Sequence, residues 1–191
     1  MHLKRLGELF LVIVVVALGA WWLKPVTAPP EKPGKLGLEG KSLVLLVVRE
    51  EDRPLLDCAE SLRQNTGVEV RSMYSASFQP SWLNAERGQL DADQILAFVD
   101  KQASEATLLV VGQDCYTPSQ PDWRYCYGVR GKKGAVLSLA RLDTDSRRDK
   151  MLARYAAELL LGRQRSKDPT SLFYSPILGP ADLDRMELKI P

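Results

Sequence analysis

YCYGVRGKKGAVLSLARLDTDSRRDKMLARYAAELLLG, residues 125–162, carries two periodicities side by side. YCYGV and AVLSL are short strand-like runs, and the Arg-Gly-Lys-Lys-Gly between them predicts a hairpin with glycines at positive φ. From about Arg147 to Leu161, Met151, Leu152, Tyr155, Ala156, Leu159 and Leu160 recur at three- and four-residue spacing. That period predicts a long helix with one apolar stripe, on which Tyr155 and Leu159 are core residues. Glu158 lies off the stripe one turn after Arg154, as half of a solvated ion pair worth at most about 0.5 kcal/mol.

Upstream, LVLLVV (Leu43–Val48) and TLLVV (Thr107–Val111) are continuous apolar runs of strand length, which suits strands covered on both faces. Pro54 followed by Leu55, Leu56, Ala59 and Leu62 predicts a helix that stops at Asn65-Thr66-Gly67. Val68–Met73 is the next strand. Residues 74–90 show no sustained period, and Asp91 then caps a helix carrying Ile95, Leu96 and Val99 on one face. The order strand, helix, strand, helix, strand, hairpin, helix predicts an α/β class with a mixed sheet of about five strands and covering helices. The tail after Gly162 holds SLFYSPILGPADLDRME, apolar enough to pack back across the domain.

At the other end, residues 9–23 are uniformly apolar apart from the indoles of Trp21 and Trp22, and Lys4 and Arg5 precede them. Residues 1–24 therefore predict a signal anchor that enters the membrane through residues 6–23. Ala17 and Gly19 are the small residues that a cleavage site would use. The paired tryptophans before Lys24 and Pro25 favour an anchor that is kept. The order of these elements places the domain on the extracytoplasmic, periplasmic side, against the pull of Lys24, Lys32, Lys35 and Lys41. Residues 25–41 read as a Pro, Gly and Lys-rich tether, leaving 42–191 as one domain.

The 191-residue chain has formal net charge +2 and one histidine, His2. Lys4, Arg5 and Lys24 with Glu8 account for that net charge, so the rest is neutral and lacks the basic surplus of a nucleic-acid binder. His2 lies ahead of the apolar segment, so histidine-based triads and His-ligated metals in the folded domain are disfavoured.

AERGQLDADQILAFV (85–99), TLLVVGQDCY (107–116) and GVRGKKGAVLSLARLD (128–143) together make the chain resemble the archaemetzincins, small zinc proteases of the metzincin class, over most of residues 42–187. The resemblance implies that the helix after the hairpin occupies the place of the family's H-E-x-x-H-x-x-G-x-x-H motif. There, histidines one turn apart share a helix face, and a glycine returns the chain with a third. With Gly162 as the glycine, Tyr155 and Leu159 take the first two ligand positions, Ala156 the general-base position and Arg165 the third-ligand position. Phe173 falls near the methionine that the class sets beneath its metal. None of these is a usual zinc ligand, and a guanidinium repels the ion.

The resemblance thus implies a metzincin-like domain without a metal or other cofactor, which binds a protein or peptide as a pseudoprotease. The alternative is a hydrolase that uses the carboxylates Glu158, Asp114 and Asp143. The aromatic-rich loop holding Tyr116, Trp123, Tyr125 and Tyr127, with Arg124 and Arg130, is a candidate partner groove, although loop anchoring accounts for any one of them as well. Cys115 and Cys126 flank this loop and are either a disulfide or two small buried hydrophobes. Cys58 reads as inert core. Asp143, Asp145, Asp182 and Asp184 fit helix capping around Thr144 better than a calcium site.

Overall fold

The computed structural model describes residues 36–189. The anchor expected over 1–24 and the tether as far as residue 35 lie outside the described residues. The folded part starts ahead of Ser42, the expected boundary. Leu36 and Leu38 are buried, and their amides donate to the carbonyls of Asn65 and Thr66 at 3.2 and 3.1 Å.

Strands β1 (Ser42–Val47), β2 (Glu69–Tyr74), β5 (Thr107–Val111), β7 (Gly128–Arg130) and β8 (Gly134–Ser138) form a sheet in the order β2-β1-β5-β8-β7. All neighbours are parallel except the β7/β8 hairpin. The expected five-strand mixed sheet is therefore present. Residues 74–90, which show no period, build a short 3₁₀ turn at Pro80–Trp82 and a second sheet. This sheet pairs β3 (Leu83–Asn84) and β6 (Cys115–Tyr116) with β4 (Gln89–Asp91) between them.

Strand side chains alternate between two cores. Leu43, Leu45, Leu108, Val110 and Leu137 face α1 (Cys58–Thr66) and α3 (Asp145–Leu161). Leu109, Val111 and Val136 face α2 (Ala92–Gln102) and Trp82. The uninterrupted apolar runs follow from this double cover, each fully buried Leu or Val contributing roughly 1.5–3 kcal/mol. The expected first helix begins as a 3₁₀ stretch at Glu50–Asp57, becomes α-helical at Cys58, and ends on Gly67 at φ 78°. Asp91 caps α2 as expected, its Oδ1 accepting from the amides of Asp93 and Gln94, both at 3.0 Å.

The hairpin forms, but its glycines serve a different purpose from the one expected. Neither Gly131 nor Gly134 has positive φ. They leave room for α2: a Cβ on Gly134 would stand 2.5 Å from Val99 Cγ1, and one on Gly131 would stand 1.9 Å from an Asp100 carboxylate oxygen. That carboxylate accepts from the amides of Lys132, Lys133 and Gly134 at 3.1, 2.9 and 2.7 Å. These bonds hold its charged form, so Asp100 titrates below its ordinary range despite the opposing cost of burial.

After α3, Gly162 takes the left-handed conformation at φ 62° and turns the chain back. The tail packs across α3 as expected: Leu172, Phe173, Leu183 and Met186 are buried, and α4 (Pro180–Arg185) lies within it. Arg147 on the first turn of α3 bonds both carboxylate oxygens of Asp184 at 2.8 and 2.6 Å and pairs with Asp143 at 2.5 Å. Thr144 Oγ1 accepts from the Arg147 amide at 3.3 Å. Asp182 accepts from the amides of Leu178 and Gly179 at the start of α4 at 2.7 and 3.2 Å. The four aspartates considered for calcium are thus capping and ion-pairing residues.

Gly134→Ala is expected to cost about 1–3 kcal/mol through the clash with Val99. Gly179→Ala, where a Cβ meets nothing within 4 Å, is expected to stay within about 0.5 kcal/mol of the parent. Urea denaturation of the two variants checks this difference.

Candidate functional site

A cleft of about 350 Å³ opens between three pieces of chain. One wall is the loop 122–128, which leads into the edge strand β7. The floor is α3, through Met151, Arg154 and Tyr155, and the other wall is the returning tail with Arg165 and Ser175–Leu178. Tyr155 and Arg165, the first and third ligand positions in the family register, therefore meet in one cleft. Leu159 and Ala156 do not line it. Ala156 is fully buried, Leu159 packs at the margin of the core, and Phe173 is buried in the core and does not line the cleft.

Glu158 is not in a solvated pair. It is 1% exposed, its Oε1 accepts from Arg154 Nε at 2.9 Å, and its Oε2 stands 3.5 Å from Arg130 Nε. Arg130 also donates to the Glu158 carbonyl at 3.1 Å, and Arg154, 4% exposed, donates to the Tyr174 carbonyl at 2.6 Å. This one carboxylate thereby joins the edge strand, the helix floor and the returning tail. Ala153, Ala156 and Ala157 are buried as well, so the helix is buried on more faces than a single stripe.

A second network fixes the loop. Arg141 bonds Asp114 through Nε and Nη2 at 2.9 and 2.6 Å, and Gln89 donates to Asp114 Oδ2 at 2.9 Å. Arg87 and Gln89 donate to the Arg124 carbonyl at 2.9 and 3.0 Å. The Arg141 guanidinium lies 3.9 Å from the centre of the Tyr125 ring, and Tyr125 meets Tyr127 edge to face at 5.5 Å. Trp123, Tyr125 and Tyr127 all line the cleft. Tyr116 does not: it sits on β6 beneath Arg87, 4.5 Å from its ring centre, with its hydroxyl 3.3 Å from Asn84 Nδ2. Tyr116 anchors the loop rather than offering a groove, and Arg130 belongs to the Glu158 network.

The three carboxylates considered for hydrolysis do not come together. Glu158 is held between guanidiniums, Asp114 is held by Arg141, Asp143 pairs with Arg147, and none of them lines the cleft. Burial pushes the Asp114 carboxyl up, yet the hydrogen bonds from Arg141 and Gln89 outweigh it and hold the group below its ordinary range.

Cys115 and Cys126 face each other as an isolated antiparallel bridge, the Cys126 amide donating to the Cys115 carbonyl at 2.8 Å. Both are buried and present as thiols. Burial pushes both up, Cys126 to about 12, so neither supplies a thiolate nucleophile at neutral pH. Cys58 is half-buried rather than fully in the core, and burial raises its thiol as well.

The residues at the ligand positions do not fit zinc. A phenol raised by burial, an aliphatic side chain and a guanidinium supply no set of donors, and among the described residues no three His, Cys, Asp or Glu side chains converge. Sequence reasoning missed Arg154 as the residue that ties the tail to the cleft. The signal was the Arg-x-x-x-Glu spacing inside an alanine-rich helix that is apolar nearly all round.

Arg154→Met or Glu158→Gln alone leaves a buried charge without its partner and is expected to destabilise by roughly 3–5 kcal/mol. Replacing both together, with Met and Leu, is expected to cost less than either single change, as a double-mutant cycle in urea would show. Because the folded pKa of Asp114 lies below its unfolded value, its stabilisation is complete above that unfolded value and is lost as pH falls through the folded one. Asp114→Asn is expected to flatten the acid side of the stability profile and leave its shape above neutrality unchanged.

No protein-family model and no curated protein matches the sequence. Solved structures do match. Archaemetzincin from Methanopyrus kandleri is 18% identical with a TM-score of 0.66, over 85% of this chain and 91% of that one. Archaemetzincin from Archaeoglobus fulgidus, solved with malonate, is 20% identical with a TM-score of 0.61, over 78% and 95%. A zinc-dependent peptidase from Methanocorpusculum labreanum is 19% identical with a TM-score of 0.59, over 77% and 94%. At these identities the likeness is one of fold, and the chain has an archaemetzincin-like α/β fold.

Proposed function

We propose that the chain is a membrane-tethered, extracytoplasmic peptide-binding domain that has left zinc proteolysis behind and kept the cleft of a peptidase-related fold. The observation that carries this reading is the wall of the cleft: Tyr155 and Arg165 line it at two of the positions where the family's register asks for histidine. The general-base position is Ala156, fully buried and without a polar side-chain atom. The sole histidine of the chain is His2. A nearby carboxylate does not replace the missing base, since Glu158 is committed to Arg154 and Arg130.

The rim supports a binding role. Among the described residues, Trp123 and Leu178 are two of the large apolar side chains left exposed, and both flank this cleft. Exposed aromatic and aliphatic groups around a concave site are what a peptide partner buries. The tether rests on the sequence of residues 6–23 and its flanking charges. Among the described residues no helix is long and apolar enough to cross a membrane, so residues 6–23 would carry the attachment alone.

Two measurements test the proposal. The full chain, supplied with zinc, is expected to leave a peptide library uncut, whereas chelator-sensitive cleavage would overturn the pseudoprotease reading. On fractionation of cells that express it, the full chain is expected in the membrane pellet and a variant lacking residues 1–35 in the soluble fraction. Full-length protein that is soluble would overturn the tether.

A further inference from the structure

Resting on the peptide-binding reading, we infer that the cleft is a carboxylate site that takes the free C-terminal end of a peptide with apolar last residues. Arg124, Arg154 and Arg165 all line the cleft. Arg154 is neutralised by Glu158 and spent on the Tyr174 carbonyl. The guanidiniums of Arg124 and Arg165 make no hydrogen bond or ion pair with any described residue, although most of the arginines around them are paired. Among the described residues only one carboxylate, Asp122, lies in the lining, so the cleft holds a surplus of positive charge in a chain that is otherwise close to neutral.

A second observation points the same way. Tyr127, 7% exposed, lines this cleft, and its buried hydroxyl has no hydrogen-bond partner among the described residues. An unsatisfied buried hydroxyl costs about 1–3 kcal/mol, a cost that an acceptor arriving in the cleft removes. Two guanidiniums and a phenol are donors to an anionic oxygen, and charge-assisted bonds of this kind are roughly twice as strong as neutral ones.

The size and the rim decide which anion. At about 350 Å³ the cleft is near the lower limit of ligand sites and holds the last one or two residues of a chain rather than a strand running through. Trp123, 45% exposed, and Leu178, 77% exposed, offer apolar surface to the side chains that precede the carboxylate. A bare phosphate gains nothing from that surface.

The test uses the full chain in detergent micelles and an N-acetylated alanine peptide ending in two leucines, titrated to about 1 mM by calorimetry. Its comparisons are the C-terminal amide, the amide with aspartate as the last residue, and inorganic phosphate as competitor. The free acid is expected to bind at least about tenfold more tightly than either amide. Phosphate at similar concentration should not displace it. Arg165→Gln and Arg124→Gln should each remove most of the acid-to-amide difference without changing the melting temperature, and Lys101→Gln on α2 should leave it intact. Equal binding of acid and amide would overturn the carboxylate site and spare the peptide-binding reading. Equal binding of the aspartate amide would overturn the terminal assignment, and displacement by phosphate would overturn the choice of anion. No binding by any of the peptides would count against both readings.

Discussion

The cleft depends on a single buried carboxylate. Glu158 is 1% exposed on α3, and Arg154 and Arg130 reach it from two directions, which offsets the cost of burying a carboxylate. Those arginines do not start from the same place. Arg130 comes from the edge strand and Arg154 from the turn before, and Arg154 carries on to the Tyr174 carbonyl on the returning tail. The three pieces of chain around the cleft are therefore held to one another by electrostatics as well as by apolar contact. A hydrophobic replacement would pack as well, but it would not specify where the tail crosses. In this fold the tail supplies Arg165 and Ser175–Leu178, so its placement determines the far wall.

The same feature separates scaffold from chemistry. Gly162 turns the chain at positive φ, Arg141 reaches the loop through Asp114, and Asp182 starts the last helix. These are requirements of the backbone path, and they hold whether or not a metal is bound. In the family register the ligand positions hold a phenol, a half-buried aliphatic side chain and a guanidinium. A positive charge therefore stands at the cleft on Arg165 itself, which suits an anionic end of a ligand and repels a divalent cation.

Much of the fold was legible because burial on both faces leaves a plain trace. LVLLVV contains no polar residue and TLLVV only Thr107 at its start, which is what a strand between two helical layers requires, and the α3 period survives in the structure nearly end to end. Less legible was structure held by side chains far apart in sequence. Leu83, Leu90 and Cys115 build a second sheet from strands too short to show a period. The hairpin glycines looked like turn residues, whereas the side chains of Val99 and Asp100, some thirty residues earlier, are what exclude a Cβ there. Glu158 looked solvated because an i,i+4 ion pair on a helix is usually at the surface; only the third partner, Arg130, and the tail above it reveal the burial. In the candidate site, Trp123, Tyr125, Tyr127, Tyr155 and Arg165 converge and Tyr116 and Leu159 do not. Composition alone cannot separate an aromatic that lines a cleft from one stacked under an arginine.

We propose that this archaemetzincin-like scaffold carries a binding cleft in place of a metal site. Elemental analysis of the full chain, purified without a histidine tag from cells grown with added zinc, tests it most directly. The account predicts zinc far below one equivalent per chain, at the level of a protein with no site. One equivalent that survives dialysis and is lost in Arg165→Gln or Tyr155→Phe would contradict it.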